Sequence, residues 1–135
     1  MEDKLNKPKL CGLHHLKLPV SDISRSRDWY CEVLGFKVDI EFVEEGRLRG
    51  VALTHPGIEF WLALREEPER VDALSGFDPV ALAVSTLSEL EKWVTHLDRL
   101  GIEHGQVQGG HVGWLMSLKD PDGLEMRLYT LERPN

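Results

Sequence analysis

Asp120-Pro121-Asp122-Gly123-Leu124-Glu125-Met126-Arg127-Leu128-Tyr129 is the stretch whose reading decides the fold. It opens as a turn. Pro121 pre-sets its own φ, Asp122 tolerates a tight bend, and Gly123 takes a positive φ without steric cost. It continues as a strand with two-residue alternation. Leu124, Met126 and Leu128 make one face, which requires a core. Glu125, Arg127 and Tyr129 make the other, and such a polar row points into an open hollow with Arg127 beside the functional site.

Outward from this stretch, one order of patterns occurs twice. In the second half, Pro79 to Val84 alternates as a strand, and Thr86-Leu87-Ser88-Glu89 is a capping box. Leu87, Leu90, Val94, Leu97 and Leu100 form a helical stripe closed by Gly101. Glu103 to Gln108 reads as a short strand, Gly109-Gly110 as a break, and Val112 to Lys119 as a strand with Trp114 on its core side. In the first half, Leu13 to Val20 reads as a strand and Ser21-Asp22 as a helix cap. Ile23, Tyr30, Val33 and Leu34 follow at helical spacing, and Gly35 stops the helix. Phe36 to Phe42 alternates with Val38, Ile40 and Phe42 on one face. Arg47 to Thr54 and Ile58 to Leu64 complete the set. A βαβββ unit thus occurs twice. Val20-Ser21-Asp22-Ile23 matches Val84-Ser85-Thr86-Leu87, and His55-Pro56-Gly57 matches Pro121-Asp122-Gly123.

The chain has 135 residues, 41% of them hydrophobic and 29% charged, as expected for one globular domain with a core. The expected division is a disordered tail over 1–11, a single domain over 12–130 and a tail over 131–135. Within the domain, module 1 covers 12–65, a linker 66–78 and module 2 79–130. A net charge of -7 with no basic stripe argues against nucleic acid as partner. The polar, Lys-rich start does not read as a signal peptide, and no run approaches the roughly 18 apolar residues of a membrane span. Cys11 and Cys31 form no framework spacing and read as reduced thiols, with Cys31 packed on its helix. The expectation is a cytoplasmic protein without a membrane partner.

The repeat, together with His15-Leu16-Lys17-Leu18-Pro19-Val20-Ser21-Asp22, Trp29-Tyr30-Cys31-Glu32-Val33-Leu34-Gly35-Phe36 and Asp120-Pro121-Asp122-Gly123, resembles the vicinal-oxygen-chelate superfamily. That superfamily includes glyoxalase I, bleomycin-resistance proteins, extradiol dioxygenases and fosfomycin-resistance enzymes. The resemblance covers about residues 12–130. It implies an α+β fold in which two βαβββ modules form a curved mixed sheet around a cup-shaped cavity, with helices on the outer face. It also implies a homodimer. Metal-using members take a His from each module's first strand and a carboxylate or Gln from each last strand, a donor set that suits Zn, Ni, Mn or Fe. Carried over position by position, these fall on His15, Pro79, Trp61 and Arg127. Only His15 retains a ligand. A guanidinium repels a cation and does not deprotonate, so no metal or other cofactor is expected. The alternative is a metal-dependent lyase, isomerase or dioxygenase with a non-standard site, such as one built from His15, Glu125 and a partner-chain group.

The predicted cup face collects His15, Lys17, Glu59, Trp61, Ala63, Pro79, Ala81, Ala83, Glu125, Arg127 and Tyr129. Small Ala81 and Ala83 leave room, Trp61 offers a wall for a ring, and Arg127 a planar fork for a carboxylate or phosphate. His15 could serve as acid, base or donor. The expected ligand is a small, partly apolar, anionic molecule. Other readings are that Arg127 pairs with Glu125 or Glu59, that Trp61 only fills a vestigial cavity, or that the protein is a non-catalytic scaffold. Lys17 is expected near the rim and His14 opposite to His15. His55, His96, His104 and His111 are expected as solvated surface side chains.

Overall fold

The structure is a computed structural model and describes residues 7–135. Residues 1–6 of the expected N-terminal tail lie outside the described residues, and the rest of that tail is exposed coil. The elements run β1 (His15–Val20), α1 (Ile23–Leu34), β2 (Lys37–Glu44), β3 (Arg47–His55) and β4 (Ile58–Glu66) in the first module. A short helix α2 (Pro68–Val71) and a 3₁₀ turn (Asp72–Leu74) occupy the linker. Then come β5 (Val80–Val84), α3 (Leu87–Leu100), β6 (Gln108–Gly109), β7 (Trp114–Lys119) and β8 (Glu125–Thr130).

Each module folds into its own four-stranded mixed sheet, in the orders β1-β4-β3-β2 and β5-β8-β7-β6. First and last strands pair in parallel, and the other neighbours are antiparallel. The α+β fold of two repeated modules is as the sequence pattern implies. Both helices are delimited by local chemistry. The Asp22 carboxylate accepts from the Arg25 N–H and the Thr86 hydroxyl from the Glu89 N–H. Gly35 (φ 83°) and Gly101 (φ 72°) end the helices in the left-handed region.

The inner faces of both sheets and the buried sides of both helices make one continuous core, with Val20, Tyr30, Leu53 and Leu62 from module 1 and Leu90, Leu97, Met116 and Leu128 from module 2. The modules therefore meet through their helix sides. Polar contacts reinforce this junction. The Tyr30 hydroxyl donates to Asp120 Oδ2 at 2.8 Å, and Asp120 Oδ1 accepts from the N–H groups of Asp122 and Leu124. Asp122 in turn accepts from the Ser21 N–H and hydroxyl and from Arg25. A ring nitrogen of His96 lies 2.9 Å from the Val33 carbonyl. The turn that opens β8 is thus a clasp on the start of α1.

Glu66 holds the same helix from the other side. Its Oε2 accepts from the Ile23 N–H at 3.0 Å, and its Oε1 pairs with Arg47. These two interactions hold its pKa below the usual carboxylate value. Its contribution is therefore present above the ordinary glutamate pKa and is lost as pH falls through the lowered one. Glu66→Gln keeps the backbone contact and loses the ion pair. Urea unfolding should show a loss of about 1–2 kcal/mol at neutral pH, narrowing toward zero in acid.

Three details differ from the sequence pattern. Val38, Ile40 and Phe42 do not turn one face to the core: they are 40, 42 and 44% exposed. The β2–β3 ladder slips between Val38 and Ile40 and again between Phe42 and Val43, so strict alternation fails along this edge strand. The strand expected over 103–108 shrinks to β6 and one isolated bridge, His104 to Leu118. The expected C-terminal tail is docked: Leu131 N–H bonds to Val84 O, Glu132 N–H to Ser85 O, and the Glu132 carboxylate caps the Leu87 N–H.

Candidate functional site: the open faces of the sheets

The face of each sheet turned away from its helix carries the candidate residues. In module 1 the parallel register sets His15 beside Trp61 and Lys17 beside Ala63, and Ala52 lies opposite Ala63. In module 2, Ala81 lies beside Arg127, Ala83 beside Tyr129, and Ser117 opposite Arg127. Their neighbours in the strands, Leu62, Leu64, Met126 and Leu128, are buried, so the alternation around both sets holds. His15, Lys17, Glu59, Ala81 and Ala83 are exposed, while Trp61, Glu125, Arg127 and Tyr129 are half-buried. Each open face lies across its own sheet from the shared core.

Each central residue has a partner not expected from the pattern. Trp61 Nε1 donates to Asp39 Oδ2 at 2.7 Å, and Asp39 sits in the first slip of β2. Arg127 pairs with neither Glu125 nor Glu59. Its Nε lies 3.0 Å from Asp78 Oδ2, at the end of the linker, in an ion pair rather than an aligned hydrogen bond. The terminal nitrogens of that guanidinium have no protein partner among the described residues, which leaves the fork free for a planar anion.

His14 does not point away from His15. It precedes β1, where no alternation is imposed, and the two Nδ1 atoms are 3.0 Å apart. In this contact one ring nitrogen donates and the other accepts. The His14 ring also lies 5.3 Å from that of Trp61. Tyr129 is covered by the 109–113 loop. A Cβ at Gly110 would lie 2.7 Å from the Tyr129 hydroxyl, and one at Gly113 would lie 2.2 Å from Thr130 O. Glycine is required at Gly113 by close approach rather than by backbone sign.

Other expectations separate clearly. Lys17 lies in solvent, and Trp114 packs on the core. Burial and the Asp28 carboxylate push the Cys31 thiol up, so it is protonated at neutral pH and a poor nucleophile. Cys11 and Cys31 are both free. Three of the four histidines expected in solvent are not there. His55 stacks edge-on against Phe36, His96 reaches across to α1, and His104 bonds to Asp98 and Gly105 O. Only His111 among the four is exposed.

The donor set at the open faces does not fit a metal. Pro79 has no donor side chain, the Trp61 indole is a hydrogen-bond donor, and Arg127 is a fixed cation. Glu125, in the same row as Arg127, lines a cavity of about 480 Å³ with Trp29, His104, Lys119 and the Ser117 that lies opposite Arg127. Asp39, Asp78 and His14 are the site neighbours that sequence reasoning missed. A bulge hides the first, linker docking the second, and a strand that begins two residues later than its pattern the third.

No helix among the described residues is long and apolar enough to cross a membrane. Among solved structures, the chain is similar to a glyoxylase/bleomycin resistance protein/dioxygenase domain from Frankia sp. EAN1pec. Identity is 21%, coverage is 94% of this chain and 96% of that one, and the TM-score is 0.73. It is similar to TnmS3, an antibiotic binding protein from Streptomyces sp. CB03234, at 19% identity, 92% and 98% coverage and TM-score 0.76. It is also similar to lactoylglutathione lyase from Agrobacterium tumefaciens, at 14% identity, 91% and 96% coverage and TM-score 0.73. At these identities the likeness is one of fold. The family model of the Glyoxalase/Bleomycin resistance protein/Dioxygenase superfamily matches residues 12–128. With that match added to the repeated module, this chain belongs to the glyoxalase/bleomycin resistance/dioxygenase superfamily.

Proposed function

We propose that this chain is a metal-independent binding protein for a small, partly apolar, anionic molecule. One observation carries the reading: the terminal nitrogens of the Arg127 guanidinium have no protein partner among the described residues, at the position where the resemblance puts a carboxylate in metal-using members. A cation there favours an anion and opposes a metal. Trp61 supplies a flat wall, and Ala52, Ala63, Ala81 and Ala83 keep the faces shallow enough to admit a ring. Antibiotic binding by the similar TnmS3 is consistent with such a role.

The same reading makes the working form a homodimer. Trp61 and Arg127 lie in different sheets, each on the face across from the core, so in this reading a cup using both sets the module 1 face of one copy over the module 2 face of another. The exposed Ile40 and Phe42 beside Ala52 and Gly50 would then be covered.

The test has three parts: sedimentation for the dimer, elemental analysis of purified protein, and a thermal-shift screen of aryl carboxylates, aryl phosphonates and uncharged analogues. The expected result is a dimer, no stoichiometric metal, and stabilisation by the anionic compounds alone. A stoichiometric divalent metal would favour the lyase, isomerase or dioxygenase reading, with His15 as its retained ligand. Stabilisation by uncharged analogues alone would remove Arg127 from the site.

A further inference from the structure

A second crevice lies where the β3–β4 turn of module 1 meets α3 and β5 of module 2, and Ala83 borders it. Its inner part has a volume of about 240 Å³ and is walled by Leu34, Phe36, Ile58, Leu82 and Leu128. Its outer part, about 300 Å³, shares Leu34, His55, Glu89 and Trp93 with the inner one and adds Glu32 and Lys92 at the mouth. Drug-sized ligands occupy cavities of about 300–1,000 Å³, so this one suits a single-ring molecule.

Its polar groups have a definite arrangement. The Gly57 N–H donates to His55 Nδ1 at 3.2 Å. His55 therefore carries its proton on Nε2, and that N–H has no acceptor among the described residues. Nε2 lies beside Gly35, 3.5 Å from where a Cβ would stand there, and both parts of the crevice are lined by this side chain. At the mouth, Glu89 has one weak partner among the described residues, Lys92, at 3.5 Å, with the Glu89 side chain about half exposed and Lys92 largely in solvent. Two carboxylates, Glu32 and Glu89, face one ammonium, Lys92. Among these side chains the mouth carries a surplus of negative charge. Trp93 adds an aromatic face suited to a cation or a ring.

We propose that this crevice binds a small hydroxyaryl-alkyl amine. The ring lies among Leu34, Phe36 and Trp93, its oxygen accepts from His55 Nε2–H, and its ammonium sits at Glu89. The preference is opposite in sign to that of the Arg127 face, so the two sites are separable by ligand charge.

The experiment is an amide and indole N–H NMR titration of the full chain with tyramine, alongside 4-hydroxyphenylacetate as the charge-reversed probe. Tyramine should give saturable shifts at Gly57, Leu82 and the Trp93 indole, and 4-hydroxyphenylacetate should leave these signals in place. Glu89→Gln keeps the Thr86 cap on the backbone N–H and should weaken tyramine about fivefold, as for a partly exposed ion pair. His55→Phe should abolish the preference for tyramine over phenylethylamine. Arg127→Met should leave tyramine affinity unchanged. Absence of saturable shifts at these signals, equal binding of the carboxylate probe there, or an unchanged affinity in Glu89→Gln would overturn the proposal.

Discussion

Asp120→Ala is expected to cost about 3–5 kcal/mol of unfolding free energy, which is a large part of the stability of a domain this size. The side chain is nearly buried and satisfies three donors at once: the Tyr30 hydroxyl and the N–H groups of Asp122 and Leu124. Removing it leaves each of them without a partner in the interior, at roughly 1–3 kcal/mol apiece before relaxation. Asp120→Asn keeps an acceptor oxygen and should lose less. The acid also carries a pH signature. Burial pushes its pKa above the ordinary aspartate value, against the pull of the Tyr30 hydroxyl and the two backbone N–H groups. The contribution of this ionisation is therefore fully present below the ordinary pKa and is lost as pH rises through the raised one. That slope is opposite to the one at Glu66. Urea midpoints measured across the acid range for wild type, Asp120→Asn and Glu66→Gln should resolve the two, with each variant flattening its own slope.

Arg127→Met is expected to lower affinity for an aryl carboxylate about 10- to 150-fold, corresponding to the roughly 1.5–3 kcal/mol of a hydrogen-bonded contact to a charged group. The methionine keeps the length and apolar stem of the arginine, so folding should be little changed. Arg127→Lys should recover only part of the loss, because an ammonium keeps the charge but not the fork. Asp78→Asn should act in the opposite direction. It removes the carboxylate now lying 3.0 Å from Arg127 Nε and with it the competitor for an incoming anion. Calorimetric titration of these variants with the best-stabilising carboxylate checks the set. A full-strength anion response in Arg127→Met would place the binding elsewhere.

What could be read from the chain alone was whatever depends on neighbours in sequence. The Asp22 and Thr86 caps, the Gly35 and Gly101 stops, and the turn at Pro121 and Gly123 are decided within four or five residues, and each stands where its pattern placed it. The strand parity of Trp61 and Arg127 was legible for the same reason, since buried Leu62, Met126 and Leu128 fix which side faces out. The partners of these residues were not legible. Asp39 reaches Trp61 only because β2 slips by a residue, and regular alternation conceals a slip. Asp78 reaches Arg127 across forty-nine positions, from a segment with no periodicity to orient it. His96 looks like a surface residue in sequence because its partner, the Val33 carbonyl, belongs to the other module, and His55 because it packs on Phe36 from a distant turn, which no local pattern encodes.

The clasp between the β8 turn and the start of α1 has a consequence for the connecting segment. Since Tyr30, Ser21 and Arg25 already hold the second repeat in place, the exposed stretch around Glu69, Arg70, Asp72 and Ala73 is a tether with no mechanical load on it. A protease nick or a grafted peptide there would leave the two halves docked. The outward surface bearing Trp61 and the one bearing Arg127 would keep their mutual orientation, which makes this stretch the place where a reporter or extra module could be spliced in without disturbing either.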